Sequence, residues 1–119
     1  MRIPYVAVAA LLFWGCEDPA AAAREQQAQG RLAYETYCAS CHEIDQGIGP
    51  RLKNEVLASR MDAGSLLQYT RRNMPYQAGN TLTPGQYLDI TAYLVARGGF
   101  MDSTRVLLET DAASIRLAQ

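Results

Sequence analysis

Cys38-Ala39-Ser40-Cys41-His42 is the stretch that decides how this chain folds. Two thiols at this spacing can each add to one vinyl group of the same macrocycle, and the adjacent imidazole then falls under its iron. C-x-x-C-H is accordingly the pattern of covalent haem attachment. Other chemistries of paired cysteines explain less. A dithiol redox motif expects a neighbouring βαβ pattern, and none is visible. A structural zinc site needs four ligands. Beyond Cys38, Cys41 and His42 the sequence offers only Cys16 and no second histidine. A disulfide across C-x-x-C is sterically poor and leaves His42 without a role.

Because His42 is the single histidine, two imidazoles from one molecule cannot both ligate the iron. The sixth ligand is expected from Met74, in the extended stretch Asn73-Met74-Pro75-Tyr76, where proline limits the freedom of the loop. Met61 and Met101 are rivals, and a core-filling role is the commoner use of methionine. Met/His ligation raises the reduction potential. It also saturates the iron, which points to electron transfer rather than oxygen or peroxide chemistry. No acid–base pair or activated nucleophile stands elsewhere, so the chain reads as a carrier and not an enzyme.

Outward from the motif, the pattern is all-α. Arg24 to about Ala39 reads as a helix, with Gly30, Tyr34 and Cys38 on one stripe. Ser40–Asn54 is a loop carrying Gly47, Gly49 and Pro50, and Glu55–Ser59 is a short helical piece. Asp62 is placed to cap a helix over Ala63–Arg72, which should end before Pro75. Thr83, Pro84 and Gln86 make a capping box with proline at the first helical position, with Leu82 and Tyr87 set for a staple across it. That helix runs to about Arg97 and stops at Gly98-Gly99. The stretch 103–119 is read as a C-terminal tail, disordered or wrapping the surface, with one or two helical turns near 111–117.

The start of the chain reads as an export signal. Met1-Arg2 is basic, Ile3–Trp14 is uncharged and apolar, and Gly15-Cys16 follows. The run is shorter than the roughly 20 residues that span a bilayer. Cleavage before Cys16 would leave that cysteine at the mature N-terminus. This resembles a bacterial lipoprotein signal with a lipidated sulfur, although Phe13 and Trp14 depart from that pattern. The alternative is cleavage after Ala23, in Ala21-Ala22-Ala23. The expected division is thus a signal over 1–15, a flexible tether over 16–23, a haem domain over 24–102 and the tail. Either cut sends the protein out of the cytoplasm: periplasmic, and membrane-anchored if Cys16 is acylated.

The whole chain has 119 residues and a formal net charge of −1, which becomes −2 once Arg2 is removed. No basic surplus exists to hold a nucleic-acid backbone. The region between the tether and the tail is small for a self-sufficient core, and a buried haem would supply the missing apolar mass.

These residues resemble the class I c-type cytochromes over roughly Gln29 to Phe100. The resemblance implies a small cytochrome c fold, three to four helices around one covalently bound haem c. Gly30, Tyr34, Cys38, Cys41 and His42 have the spacing of that family's first helix. The family lets its first and last helices cross closely at the glycine and aromatic, and Tyr93 is the matching residue on the last helix. Gly47-Ile48-Gly49-Pro50-Arg51-Leu52 looks like the family's G-x-G-P-x-L segment, which implies that Pro50 C=O accepts a hydrogen bond from His42 Nδ1–H. The short interval from His42 to Met74 departs from larger members and implies a more exposed haem edge. Leu52, Leu66, Leu67, Tyr76 and Leu82 are candidate pocket walls. Arg71 and Arg72 are either a steering patch for an acidic partner or a solvated helix end.

A narrower resemblance covers residues 86–94, Gly99-Phe100 and 110–117. It looks like cytochromes attached to periplasmic quinoprotein (PQQ-dependent) dehydrogenases, and implies such a dehydrogenase as electron donor, with an unspecified redox protein as acceptor. Two alternatives stay open: a haem-based ligand sensor in which Met74 is displaced, and a haem subunit held in a larger oxidoreductase complex.

Overall fold

The computed structural model describes Gly15 and residues 18–118. The apolar leader up to Trp14, and Cys16 with its proposed lipid, lie outside the described residues. Among these there are five α-helices, a single 3₁₀ turn and no strand. The described fold is all-α, as the pattern of the sequence predicts.

The first helix, α1, spans Pro19–Tyr37 and begins earlier than its apolar stripe suggests. Asp18 caps it by accepting from Ala20 N–H at 3.1 Å, and Pro19 takes the first helical position. Residues 19–23 are therefore helix and not tether, and Ala23 is fully buried. Composition misled here: alanine is the best helix former, and an Ala run behind an Asp-Pro start propagates a helix without polar contrast. The helix breaks at Cys38 and resumes for one turn as α2, Ala39–His42.

After a glycine-bearing loop come α3, Asn54–Ala58, and α4, Ala63–Asn73. Asp62 caps α4 through Ser65 N–H at 2.7 Å. The helix α4 stops one residue short of Met74-Pro75, because proline excludes helical geometry before it. The last helix, α5, spans Pro84–Arg97. Its capping box is formed as the spacing predicts: Gln86 N–H donates to Thr83 Oγ1 at 3.1 Å, and Thr83 N–H to Gln86 Oε1 at 2.9 Å.

The chief packing pair is α1 against α5. They cross at Gly30, where a Cβ would run into the backbone carbonyl of Asp89, so only glycine permits this approach. Tyr34 and Tyr93 flank the crossing with ring centroids 5.5 Å apart, and Arg97 lies 5.3 Å from each ring.

The stretch read as a tail belongs to the core. Leu107, Ala112, Ile115 and Leu117 are buried with Met101 against α4 and α5. The Gln26 amide of α1 clips the Leu107 backbone twice, donating to its oxygen and accepting from its N–H, both at 2.8 Å. Ala63 N–H donates to Ile115 O and Leu117 N–H to Met61 O, at 2.9 and 3.0 Å. The 3₁₀ turn, Ala112–Ser114, is all that forms of the anticipated helical turns. These apolar residues follow no helical or strand period, so periodicity could not reveal them.

Candidate haem site

The site grows from the break in α1. One turn of helix across the break, with Cys41 N–H and His42 N–H both donating to Cys38 O at 3.1 and 3.0 Å, carries both thiols and the imidazole. Cys38 and Cys41 are unlinked. Burial, with Cys41 nearby, pushes the Cys38 thiol up to about 11. A reactive dithiol needs the opposite shift, so the redox-motif alternative loses ground.

The glycine-bearing loop folds back over His42. A Cβ on Gly49 would lie 2.5 Å from His42 Cε1, so the loop lies flat on the ring only because residue 49 has no side chain. Next to it, Pro50 O stands 2.6 Å from His42 Nδ1. A carbonyl can only accept, so Nδ1 carries the proton and Nε2 keeps its lone pair for a metal. This is the bond that the G-x-G-P-x-L resemblance implied. Glu43, next in the chain after His42, accepts from Tyr34 Oη and from Arg97 Nη1, tying the end of α2 to the α1–α5 crossing.

His42 and Met74 line one cavity. An inner part is walled by Leu52, Val56, Leu57, Leu66, Ile90 and Leu94, together with Tyr34, Cys38, Pro50, Arg60, Tyr69 and Thr70. An outer part adds Tyr37, Ser40, Cys41, Ile48, Gly49, Pro75 and Tyr76. Both parts share Cys38, His42, Pro50, Tyr69 and Met74. Met74 is positioned by its backbone: its N–H donates to Thr70 O at 2.9 Å, and its carbonyl accepts from Tyr87 Oη at 2.7 Å.

The rival methionines are elsewhere. Met61 is exposed on the turn before α4, and Met101 is buried in the core; neither lines the cavity. Of the candidate walls, Leu52, Leu66 and Tyr76 face the cavity, whereas Leu67 and Leu82 do not. Tyr69 and Thr70 were missed, although they stand three and four residues after Leu66 on the same helical face. Arg60, Val56, Ile90 and Leu94 carried no comparable signal, since distant elements bring them in. Arg71 pairs with Glu109 at 3.1 Å and so serves the fold.

These residues fit a covalently bound haem: two thiols at one edge, an imidazole with its Nδ1 tied back, a thioether on the same cavity and apolar walls between them. A family model described as "Cytochrome C oxidase, cbb3-type, subunit III" matches residues 25–94. No curated protein and no solved structure matches the chain.

Proposed function

This chain belongs to the cytochrome c oxidase, cbb3-type, subunit III family, and on that premise we propose how its one haem is held and where it works. It is a monohaem class I c-type cytochrome, with haem c covalently bound, and its activity is electron transfer. Cys38 and Cys41 hold the haem through thioethers, His42 Nε2 and Met74 Sδ ligate the iron, and Pro50 fixes the imidazole tautomer. Bound there, the haem supplies a one-electron ferric–ferrous couple. The protein's part would be to offer His42 and Met74 as iron ligands, exclude water with apolar walls and keep the partly exposed Cys41 side of the pocket toward the surface. With no open position, carrying electrons is favoured over ligand sensing.

The observation that carries this reading is the placement of His42, its Nδ1 bound to Pro50, and Met74 on one apolar cavity edged by both thiols. Replacing Met74 by alanine tests it. The weak far-red ferric band of thioether ligation should vanish and the ferrous form should begin to bind carbon monoxide. A variant that keeps the band overturns the ligand assignment.

The carrier works in the periplasm, anchored through lipidated Cys16. Helix α1 supports a cut before Cys16, because a cut after Ala23 would discard the Asp18 cap and buried Ala23. Labelling with a radioactive fatty acid, lost in C16S, is the test. Its donor is a periplasmic quinoprotein dehydrogenase, on the resemblance of residues 86–94 and 110–117. A second reading, a haem subunit within a larger oxidoreductase, draws on the family's description as an oxidase subunit. Co-purification from native membranes separates them: a quinoprotein supports the first and a stable oxidase assembly the second.

A further inference from the structure

A groove between α1 and α5 is lined by Leu32, Ala33 and Tyr37 of the first helix and by Gln86 and Asp89 of the last. Asp62, Asp89 and Asp111 are the carboxylates that the described fold partly covers. Asp62 caps α4, and Asp111 pairs with Arg105 at 2.9 Å. Asp89 has neither a hydrogen bond nor an ion pair at its carboxylate among the described residues, and burial is what acts on it. Its polar neighbours direct their donors elsewhere: the Gln29 amide donates to Glu25 Oε1 at 3.0 Å, and the Thr36 hydroxyl to Leu32 O at 2.7 Å. A half-covered carboxylate without a donor destabilises the fold that holds it. Apolar surface borders this charge, since Leu32 and Tyr37 are 58% and 41% exposed. That combination suits lysine or arginine, whose aliphatic stem lies on apolar surface while the charge sits at its far end. One carboxylate does not make a metal site, because divalent cations gather several oxygens. Tyr37 also lines the outer part of the haem cavity, so the groove adjoins the haem opening.

We propose that the α1–α5 groove receives a lysine or arginine side chain of the redox partner, its cation on Asp89 and its stem across Leu32 and Ala33, and so seats that partner beside the Tyr37 side of the haem opening. This rests on the reading of the chain as an electron carrier, and it assigns the charge of the carrier's partner at this face. Opposite charges speed encounter and fix the register of docking. The apolar border shields the pair from water, which strengthens the attraction. The competing accounts are a covered surface charge with no occupant and a groove filled by a second copy of this chain.

The test uses haem-loaded full-length wild type, D89N and D89K, with native membranes as the probe, and follows haem reduction and reoxidation by absorbance over a range of salt. Each rate is divided by the rate with an uncharged reagent, hydroquinone for reduction and benzoquinone for oxidation, so that changes in the haem itself cancel. In at least one direction D89N should be about tenfold slower than wild type at low salt, D89K slower still, and the gaps should close as salt rises. Variant rates equal to wild type in both directions overturn the proposal, as does a D89K rate at or above that of D89N. If D89K does not accumulate, L32K places a cation on the exposed rim of the same groove, and a L32K rate at or above wild type overturns the proposal. A wild-type dimer in sedimentation that D89N dissociates gives the groove to a second copy and overturns the partner assignment. Wild type that takes up no haem, or exchanges no electrons with the membranes, overturns the underlying carrier reading instead, which is a separate result from loaded variants that match an active wild type.

Discussion

The Tyr87 hydroxyl donates to the Met74 carbonyl oxygen at 2.7 Å and accepts from Leu82 N–H at 3.3 Å. Tyr87 is buried on the first turns of α5. It therefore pins both ends of the loop that carries the proposed ligand to the most firmly capped helix of the fold. Y87F removes that tie while keeping the ring. The expected loss is about 1–2 kcal/mol in denaturant unfolding. The ferric protein should also bind added azide or imidazole more tightly, because Met74 leaves more readily. Unchanged ligand affinity would show that the tie does not hold the methionine.

Gly30 sets how closely α1 and α5 approach. G30A should cost about 1–3 kcal/mol, since overpacking against a backbone carbonyl has no side chain to move aside. G85A, in the first turn of α5, meets only Thr83 Oγ1 at 4.0 Å. It should be neutral or stabilising by up to about 1 kcal/mol. Thermal unfolding of the pair checks the contrast.

Gly49 lies against the proximal imidazole. In G49A the new methyl must push the ring or the loop, weakening the bond from Nδ1 to Pro50 O. A less basic imidazole stabilises the ferric iron less, so the reduction potential should rise. Redox titration checks the sign, and a fall in potential would contradict it.

The C-terminal segment holds the core closed. Q26A removes two hydrogen bonds to Leu107 and should cost about 1–3 kcal/mol. Deleting residues 103–119 removes buried Leu107, Ile115 and Leu117, each worth about 1.5–3 kcal/mol of burial. That exceeds the margin of a small domain. Little folded haem protein should accumulate, as measured by haem stain and limited proteolysis.

Burial raises the carboxyl of Asp89 above its ordinary range. The fold thus favours its protonated form. Stability contributed by this group is full below about pH 3.9 and declines as pH rises through the window up to the folded value. D89N should be more stable than wild type at neutral pH and show a flatter dependence across that window. Unfolding midpoints measured from pH 3 to 7 check this.

Local chemistry was legible in the sequence wherever neighbours in the chain decide the outcome. The haem-attachment spacing, the Thr83–Gln86 box, the Asp62 cap and the stop before Pro75 all act within a few residues, and composition and period are enough to read them. Tertiary structure alone decided that residues 19–23 extend α1, that residues 103–118 close the core, and that Arg60 and Tyr69 meet at the cavity. Each of these depends on a surface supplied from far along the chain. Burial against a distant partner leaves no periodic trace in a short irregular segment, and a cation's worth is set by the charges that folding does or does not bring to it.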